Sequence, residues 1–175
     1  ILAAAGLSES LNMATQSPGE LLDYPDSIGA PHIDTRVLIL DDDDRPVSRG
    51  EAGHIAVRNF NTALGYHRNP EAAASTWRPR KNDPEGLAWC FTGDIGVMDK
   101  DGRITIVDRS KDIILTGGES VPSVEVETVY SEHTGISDCA AVGVDDTRWG
   151  EAILLVAVKG DDNTSNSALA EDLFR

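Results

Sequence analysis

The sequence predicts a mixed α+β fold, with a mainly β first part followed by a part that alternates strands and helices. From residue 28 onward, short apolar segments are separated by Gly, Pro and Asp turns, a pattern typical of strands. After residue 110 the pattern changes, and apolar side chains recur at Val126, Val129 and Tyr130, the spacing of an amphipathic helix.

The first elements follow from apolar segments and the turns between them. Residues 1–5 are apolar and precede Gly6, which predicts a buried strand that leads into a long loop. Residues 35–40 and 54–59 predict two further strands, the second with Ile55 and Val57 on one face.

Four consecutive carboxylates, Asp41 to Asp44, end the strand at residues 35–40. They lack the alternating spacing and the glycine of a calcium-binding loop. We therefore expect a solvated turn at this run.

A short helix is predicted from Asn69-Pro70 to about Trp77, because Asn is a good N-cap and Pro is favoured at the first helical position. A polar loop over residues 78–86 follows it. Strands are then predicted over residues 89–92, 95–98 and 103–107. Asp101-Gly102 separates the last two of these strands and predicts a hairpin turn.

The second part begins with a strand at residues 113–115 that leads into Gly117-Gly118. A helix is predicted over residues 123–133. Two strands, at residues 139–144 and 152–158, and a last helix that starts at Ser167 complete the pattern.

Charge and apolar content narrow the possible partners. The 175 residues include 15 Lys and Arg against 30 Asp and Glu, a formal net charge of −15. This acidity argues against nucleic acid or an anionic membrane as a partner. The longest apolar run, residues 152–158, is shorter than the roughly 18 residues of a membrane helix, so we expect no integral membrane segment. Cys90 and Cys139 cannot form a disulfide framework, which favours a cytoplasmic location.

Both ends of the sequence suggest a piece of a longer chain. It begins inside an apolar stretch without a start methionine, and it stops within a predicted helix.

Three segments are candidate sites, each with two interpretations. Thr92-Gly93-Asp94 is either a plain turn or a carboxylate placed at a strand end to accept the hydroxyls of a ribose. Arg109 is either a surface ion-pair partner or a cation for a nucleotide. Gly117-Gly118-Glu119 is either a hairpin turn or a place where a ligand approaches the backbone.

The order of the motifs is more specific than any one of them. From the N-terminus the chain carries Gly6-Leu7-Ser8-Glu9, Gly65-Tyr66, Asn69-Pro70-Glu71-Ala72, Phe91-Thr92-Gly93-Asp94, Asp108-Arg109-Ser110-Lys111, Gly117-Gly118-Glu119, Val124-Glu125-Val126-Glu127 and Arg148-Trp149-Gly150-Glu151. In this order the motifs closely resemble the adenylate-forming superfamily, and within it the acyl-CoA synthetases, over essentially the whole chain.

The resemblance implies a two-step enzyme of fatty acid or related acid metabolism. A carboxylic acid reacts with ATP and Mg²⁺ to give an acyl-adenylate and pyrophosphate, and the thiol of coenzyme A then displaces AMP. Gly6, Leu7, Ser8 and Glu9 match the family's nucleotide motif, in which the Ser8 position contacts phosphate and the Glu9 position helps to hold Mg²⁺.

The resemblance also implies roles for later residues. Asp94 matches the residue that binds the ribose hydroxyls, and Arg109 matches an arginine that contacts the nucleotide. Lys111 matches the hinge of a mobile C-terminal domain. Gly117-Gly118-Glu119 matches the loop on the coenzyme A side of the site.

The chain also departs from the family. Ala5 stands where the family usually has an aromatic residue able to stack on adenine. The family's phosphate loop belongs before residue 1 and its catalytic lysine belongs after residue 175, so we expect the 175-residue piece to be inactive alone.

From the resemblance we expect three pieces. Residues 1–25 are the end of a large α/β subdomain, residues 26–109 a small distorted β-barrel, and residues 110–175 a truncated α/β lid.

Two alternatives stay open. One is an adenylation domain that loads a carrier protein, and the other is a non-catalytic module that binds a nucleotide or a protein. The sequence does not indicate the oligomeric state or the acyl chain.

Overall fold

The computed structural model describes residues 3–81, 83 and 85–160. The chain divides into two compact units, Ile1–Ser110 and Lys111–Arg175. The described residues are mostly strands with three helices among them, which confirms a mixed α and β fold. The boundaries at residues 25 and 109 stay predictions, and the helix predicted from Ser167 lies outside the described residues.

The first unit contains two sheets and two short helices among its described residues. Its elements are β1 (Ala3–Leu7), β2 (Leu11–Gln16), α1 (Pro18–Asp23), β3 (Ala30–Pro31), β4 (Arg36–Leu40), β5 (Ala52–Arg58), α2 (Pro70–Thr76), β6 (Trp77–Pro79), β7 (Ala88–Met98) and β8 (Ile104–Arg109). The smaller sheet has the order β1-β2-β3, and the larger has the order β4-β5-β7-β6 with β8 also paired to β7.

The larger sheet is open rather than closed into the barrel that we expected. Its central strand β7 pairs with β5 on one side, and on the other with β6 near its start and β8 near its end. Strand β4 pairs with β5 alone among the named strands, so the ladder of the described residues does not close.

One buried cluster joins the two sheets of this unit. Met13 and Ala14 of β2 pack with the buried side chains of the larger sheet, including Ile55, Val57 and Ile104. Ile55 and Val57 belong to the same cluster, which confirms that they share one face of β5. The opposite face carries a second cluster around Trp89.

The segment after Gly6, expected to be a long loop, contains β2 and α1. Ser17 is the N-cap of α1: its side chain accepts a hydrogen bond from the Glu20 N–H, and the Glu20 carboxylate accepts one from the Ser17 N–H. This reciprocal pair is a capping box, and Pro18 occupies the first turn. The sequence Ser17-Pro18-Gly19-Glu20 contains this helix-start signal, which the expectation of a long loop did not use.

Strand β7 is continuous where we expected two strands separated by a turn. Strand β5 pairs with it on both sides of Gly93, through Val57–Cys90 and His54–Ile95, with a register irregularity between them. Gly93 has a φ of +79°, a conformation that glycine adopts at low cost. The glycine therefore bends one strand instead of ending it.

The acidic run is not uniformly solvated, contrary to expectation. Asp44 is 4% exposed, and both of its carboxylate oxygens accept hydrogen bonds from Arg78, at 2.6 and 3.0 Å. The Lys81 N–H also donates to Asp44, at 2.8 Å. The hydrogen bond from Arg78 lowers the pKa of Asp44 from 3.8 to about 2.

The second unit contains one antiparallel sheet and one helix among its described residues. Its elements are β9 (Ile114–Thr116), β10 (Glu119–Val121), α3 (Ser123–Ser131), β11 (Ile136–Asp146) and β12 (Gly150–Lys159). The strand order is β10-β9-β12-β11. Helix α3 lies against β11, where the Ala141 N–H donates to the Glu127 carboxylate at 2.9 Å.

Strand β12 carries apolar side chains on both faces of the sheet. Because side chains alternate along a strand, Ile153 and Leu155 point to one face and Leu154 and Val156 to the other. The first face borders a groove of about 900 Å³ along α3. Among the described residues, no helix is long and apolar enough to cross a membrane.

Candidate functional site

A cleft of about 380 Å³ lies in the first unit, where the turn after β1, the C-terminal end of α2, residues 90–94 of β7 and the end of β8 approach each other. Its lining includes polar and aromatic groups on several elements. They are Glu9, Tyr66, Thr76, Phe91, Asp94 and Arg109.

Asp94 is held at the cleft by its backbone and its side chain. Its N–H donates to Thr92 Oγ1 at 3.1 Å, and that hydroxyl donates to the Ile55 carbonyl at 3.3 Å. Asp94 is 8% exposed, and its Oδ1 lies 3.1 Å from Arg109 Nε. Asp94 and Arg109, which are fifteen positions apart in the sequence, are therefore in direct contact in the structure.

Arg109 is the last residue of β8 and the direct partner of Asp94 across the β7–β8 ladder. Its side chain is 61% exposed, so the guanidinium faces solvent at the cleft. The next residue continues the ladder, because the Ser110 N–H donates to the Gly93 carbonyl at 2.8 Å. A buried carboxylate beside an exposed guanidinium can accept hydrogen bonds from hydroxyl groups and attract an anion at the same place.

Glu9 occupies the turn between β1 and β2 and lines the cleft. Its carbonyl accepts a hydrogen bond from the Ala63 N–H at 2.8 Å. Its carboxylate Oε1 accepts one from the Tyr66 hydroxyl, also at 2.8 Å. Among the described residues, no hydrogen bond to Oε2 is formed.

The nearby motif residues differ in their contacts. Leu7 lines the cleft, whereas Ser8 is exposed in the turn and does not line it. Gly6 is required by packing, because a Cβ there would overlap the carbonyl oxygen of Leu11. Its role is therefore to let the chain reverse so that Glu9 reaches the cleft.

A single carboxylate with an unused oxygen suits Mg²⁺ when phosphates and water complete the coordination. No cluster of three metal-ligating side chains occurs among residues 3–81, 83 and 85–160. Glu9 therefore fits a metal that arrives with a phosphorylated ligand, rather than one held by protein groups alone.

The cleft also contains aromatic and thiol groups whose role no sequence motif indicated. Tyr66 and Phe91 supply aromatic surface in a chain that has Ala5 at the usual aromatic position. Cys90 lines the cleft but is 1% exposed, and this burial, together with the charge of Glu9, raises the pKa of its thiol to about 11. The dipeptide Gly65-Tyr66 is one of the ordered motifs of the sequence, but no pattern in the sequence indicates that Tyr66 contacts Glu9.

The remaining candidates belong to the second unit. Gly117 and Gly118 connect β9 to β10 in a two-residue turn with φ values of +61° and +88°, so they form a tight hairpin. The Gly117 N–H donates to the Trp149 carbonyl at 2.8 Å. Glu119 is exposed at the start of β10, and Lys111 is the first residue of this unit and is also exposed.

The chain resembles known proteins in sequence. The family described as AMP-binding enzyme C-terminal domain matches residues 125–175. A long-chain-fatty-acid–CoA ligase of Salmonella typhimurium is 38% identical over 169 residues, which are 97% of this chain and 29% of that ligase. A 2-succinylbenzoate–CoA ligase of Geobacillus kaustophilus is 36% identical over 83% of this chain and 28% of the ligase. The chain therefore spans less than a third of the length of these relatives.

The chain also resembles solved structures of related enzymes over nearly its whole length. An o-succinylbenzoate CoA synthetase from Bacillus subtilis, in complex with its acyl-adenylate intermediate, superposes with a TM-score of 0.80 at 25% identity. That match covers 99% of this chain and 34% of the synthetase. An amide bond synthetase from Marinactinospora thermotolerans has a TM-score of 0.76 at 31% identity and covers 99% of this chain and 35% of that enzyme.

Proposed function

Because the chain belongs to the adenylate-forming superfamily, we propose that it is part of an acyl-CoA synthetase. In the first step a carboxylate oxygen of the acid attacks ATP, which gives an acyl-adenylate and releases pyrophosphate. In the second step the thiol of coenzyme A attacks the acyl carbon and AMP leaves. Both relatives described above are named CoA ligases, which supports the thiol as the second acceptor.

The observation that carries this proposal is the pairing of Asp94 with Arg109 at the cleft. The Asp94 carboxylate accepts hydrogen bonds from the ribose hydroxyls of ATP or AMP, and the Arg109 guanidinium contacts the nucleotide. Their placement as cross-strand partners at 3.1 Å keeps the two groups in a fixed relation. A site that is fixed before the ligand arrives loses less entropy on binding.

Glu9 is proposed to hold Mg²⁺ together with the phosphates of ATP. Mg²⁺ held there would supply positive charge to the phosphates of ATP. Leu7 lines the nucleotide side of the cleft, and the exposed Ser8 hydroxyl donates to a phosphate oxygen.

The second unit is proposed to act in both steps as a moving domain. Lys111 is the hinge, and the division between the two units falls directly before it, which supports this assignment. The Gly117-Gly118 hairpin and Glu119 are proposed to contact coenzyme A. A hinge at an element boundary can absorb the change in backbone angles that domain movement requires. The division at residue 25 and the lid over residues 110–175 are part of this proposal, whereas the closed barrel is not.

The relatives and the two cysteines support a cellular location and a metabolic role for the protein. We propose a cytoplasmic enzyme of fatty acid or related acid metabolism. Its partners are a small carboxylic acid, ATP and coenzyme A, without nucleic acid. Cys90 and Cys139 are both free thiols, which suits a reducing compartment. The 175 residues contain no Ser/Thr/Gly-rich phosphate loop, so we propose that the chain alone is inactive.

The test uses the complete protein that contains this chain. It measures the carboxylate-dependent exchange of pyrophosphate into ATP and then the formation of the thioester. We expect both activities, and we expect the Asp94→Ala variant to lose both. Exchange with transfer to a carrier protein but not to coenzyme A would favour a carrier-loading adenylation domain. Saturable AMP binding that requires Asp94, without any exchange, would favour a non-catalytic nucleotide-binding module.

A further inference from the structure

We propose that Tyr66 is a positioning residue that holds the Glu9 carboxylate in the orientation needed for the metal. This inference rests on the proposed function, in which Glu9 contacts Mg²⁺. It adds a residue from a different loop, 57 positions away in sequence, to the phosphate side of the cleft.

The direct contact is a hydrogen bond from the Tyr66 hydroxyl to Glu9 Oε1 at 2.8 Å. A hydrogen bond to a charged acceptor is stronger and shorter than one between neutral groups. Because Oε1 is engaged in this way, the rotation of the carboxylate is restricted. Oε2 is then left as the oxygen for a cation.

The ring of Tyr66 is itself supported. It packs against Trp77 with ring centroids 4.9 Å apart and an interplanar angle of 59°, a favourable tilted arrangement. Trp77 is the C-cap of α2 and the first residue of β6, so its backbone is fixed by two elements. The phenol therefore approaches Glu9 from a constrained direction.

The same loop also holds the backbone of Glu9. The Trp77 indole N–H donates to Thr62 Oγ1 at 3.2 Å, and the Thr62 hydroxyl can donate onward to the Glu9 carbonyl at 3.4 Å. The Ala63 N–H donates to that carbonyl at 2.8 Å. Trp77 thus supports Glu9 twice, through Tyr66 at the carboxylate and through Thr62 at the backbone.

Glu9 is therefore held at its backbone carbonyl and at its carboxylate, and the contact at the carboxylate limits the rotation of the side chain. Groups that orient a metal ligand without touching the metal commonly change metal affinity by about tenfold or more when they are removed. We therefore expect the hydroxyl of Tyr66 to affect metal affinity more than the folding of the chain.

The test uses the complete protein that contains this chain and compares wild type with Tyr66→Phe, Glu9→Gln and the double variant. Tyr66→Phe keeps the ring on Trp77 and removes only the hydroxyl. The matched control is Tyr24→Phe, because the Tyr24 ring lies 3.7 Å from the Arg103 guanidinium and does not line the cleft. Binding of Mn²⁺ in the presence of ATP is measured by electron paramagnetic resonance, and pyrophosphate exchange is measured across Mg²⁺ concentrations.

We expect Tyr66→Phe to raise the Mn²⁺ dissociation constant, and the Mg²⁺ concentration for half-maximal exchange, by about tenfold. The melting temperature and the exchange rate at saturating Mg²⁺ change little. In the Glu9→Gln background the same substitution has no further effect, and Tyr24→Phe behaves as wild type.

Two results overturn the proposal in distinguishable ways. If wild type binds Mn²⁺ with ATP and exchanges pyrophosphate while Tyr66→Phe shifts neither metal measurement, the positioning role is wrong and the proposed function stands. If wild type does neither, both proposals fail. Should Tyr66→Phe melt at a lower temperature than wild type, both metal measurements are repeated at a temperature where the variant is folded, and an unchanged metal affinity there contradicts the proposal.

Discussion

Nε of Arg109 lies 3.1 Å from Oδ1 of Asp94, and the two residues are direct partners across the β7–β8 ladder. Asp94 is nearly buried while the Arg109 side chain is 61% exposed. Because the guanidinium is in solvent, the pair contributes little to stability. Its arrangement instead presents a carboxylate and a cation to the same cleft.

Asp94→Asn is therefore expected to weaken nucleotide binding more than folding. Asparagine keeps the size of the side chain but loses the charge and one of the two oxygens that accept hydrogen bonds from the ribose hydroxyls, so the AMP dissociation constant of the complete protein should rise by at least about tenfold. Isothermal titration calorimetry measures the change. Asp34→Asn, at an exposed turn of the same unit, is the control and should bind as wild type.

Gly6→Ala tests the close approach at the β1–β2 turn. A methyl group at residue 6 would overlap the carbonyl oxygen of Leu11, so we expect the free energy of unfolding to fall by about 2 kcal/mol. Gly19→Ala is the matched substitution, since Gly19 lies in α1 with open space at its Cβ position. It should stabilise the chain by ~0.5–1 kcal/mol. Equal effects in urea denaturation would contradict the packing argument.

The Asp44–Arg78 pair predicts a pH dependence of stability. The folded pKa of Asp44 is about 2, below its ordinary 3.8, because Arg78 donates two hydrogen bonds to it. A lowered pKa means that the stabilisation is present above pH 4 and is lost as the pH falls toward 2. The contribution at neutral pH is ~2 kcal/mol.

Urea denaturation of wild type and Asp44→Asn between pH 7 and pH 2 checks this. The difference in unfolding free energy should shrink as the pH falls. Asp43→Asn is the control, because Asp43 is 59% exposed and pairs with Arg45 at the surface. A constant difference between wild type and Asp44→Asn would show that the ion pair does not titrate in this range.

The two thiols are expected to react at different rates. Cys90 is 1% exposed and the pKa of its thiol is raised to about 11, first by burial and then by the charge of Glu9, so little thiolate forms near pH 8. Cys139 is partly exposed, and its thiol donates to the Glu127 carbonyl at 3.4 Å. An aromatic disulfide reagent should label Cys139 first and Cys90 only after denaturant is added. Fast labelling of a Cys139→Ser variant would disprove this order.

Local sequence signals predicted many of the elements correctly. Asn69 caps α2 through its side chain, as its place before Pro70 indicated. Asp101-Gly102 separates β7 from β8, and Gly102 has a φ of +88°. These features depend on residues within one turn of each other, so the sequence contains all the information that they need.

The errors came from contacts between distant residues. Gly93 was assigned to a turn because local pattern cannot reveal that β5 pairs on both sides of it. Asp44 was assigned to a solvated turn because its partner Arg78 lies 34 positions later. In the cleft, the family resemblance assigned both Asp94 and Arg109 to the nucleotide, whereas no sequence pattern relates Tyr66 to Glu9, which lies 57 positions earlier.

The apolar side chains on both faces of β12 affect how the chain behaves in concentrated solution. Leu154, Val156 and Val158 are each about half exposed, a row that favours association between copies. At neutral pH every copy carries a net charge of −15, and the repulsion between copies opposes this association. Acidification toward pH 4 removes that repulsion as carboxylates take up protons. Light scattering should therefore rise steeply with acid, and added salt should move its onset to higher pH.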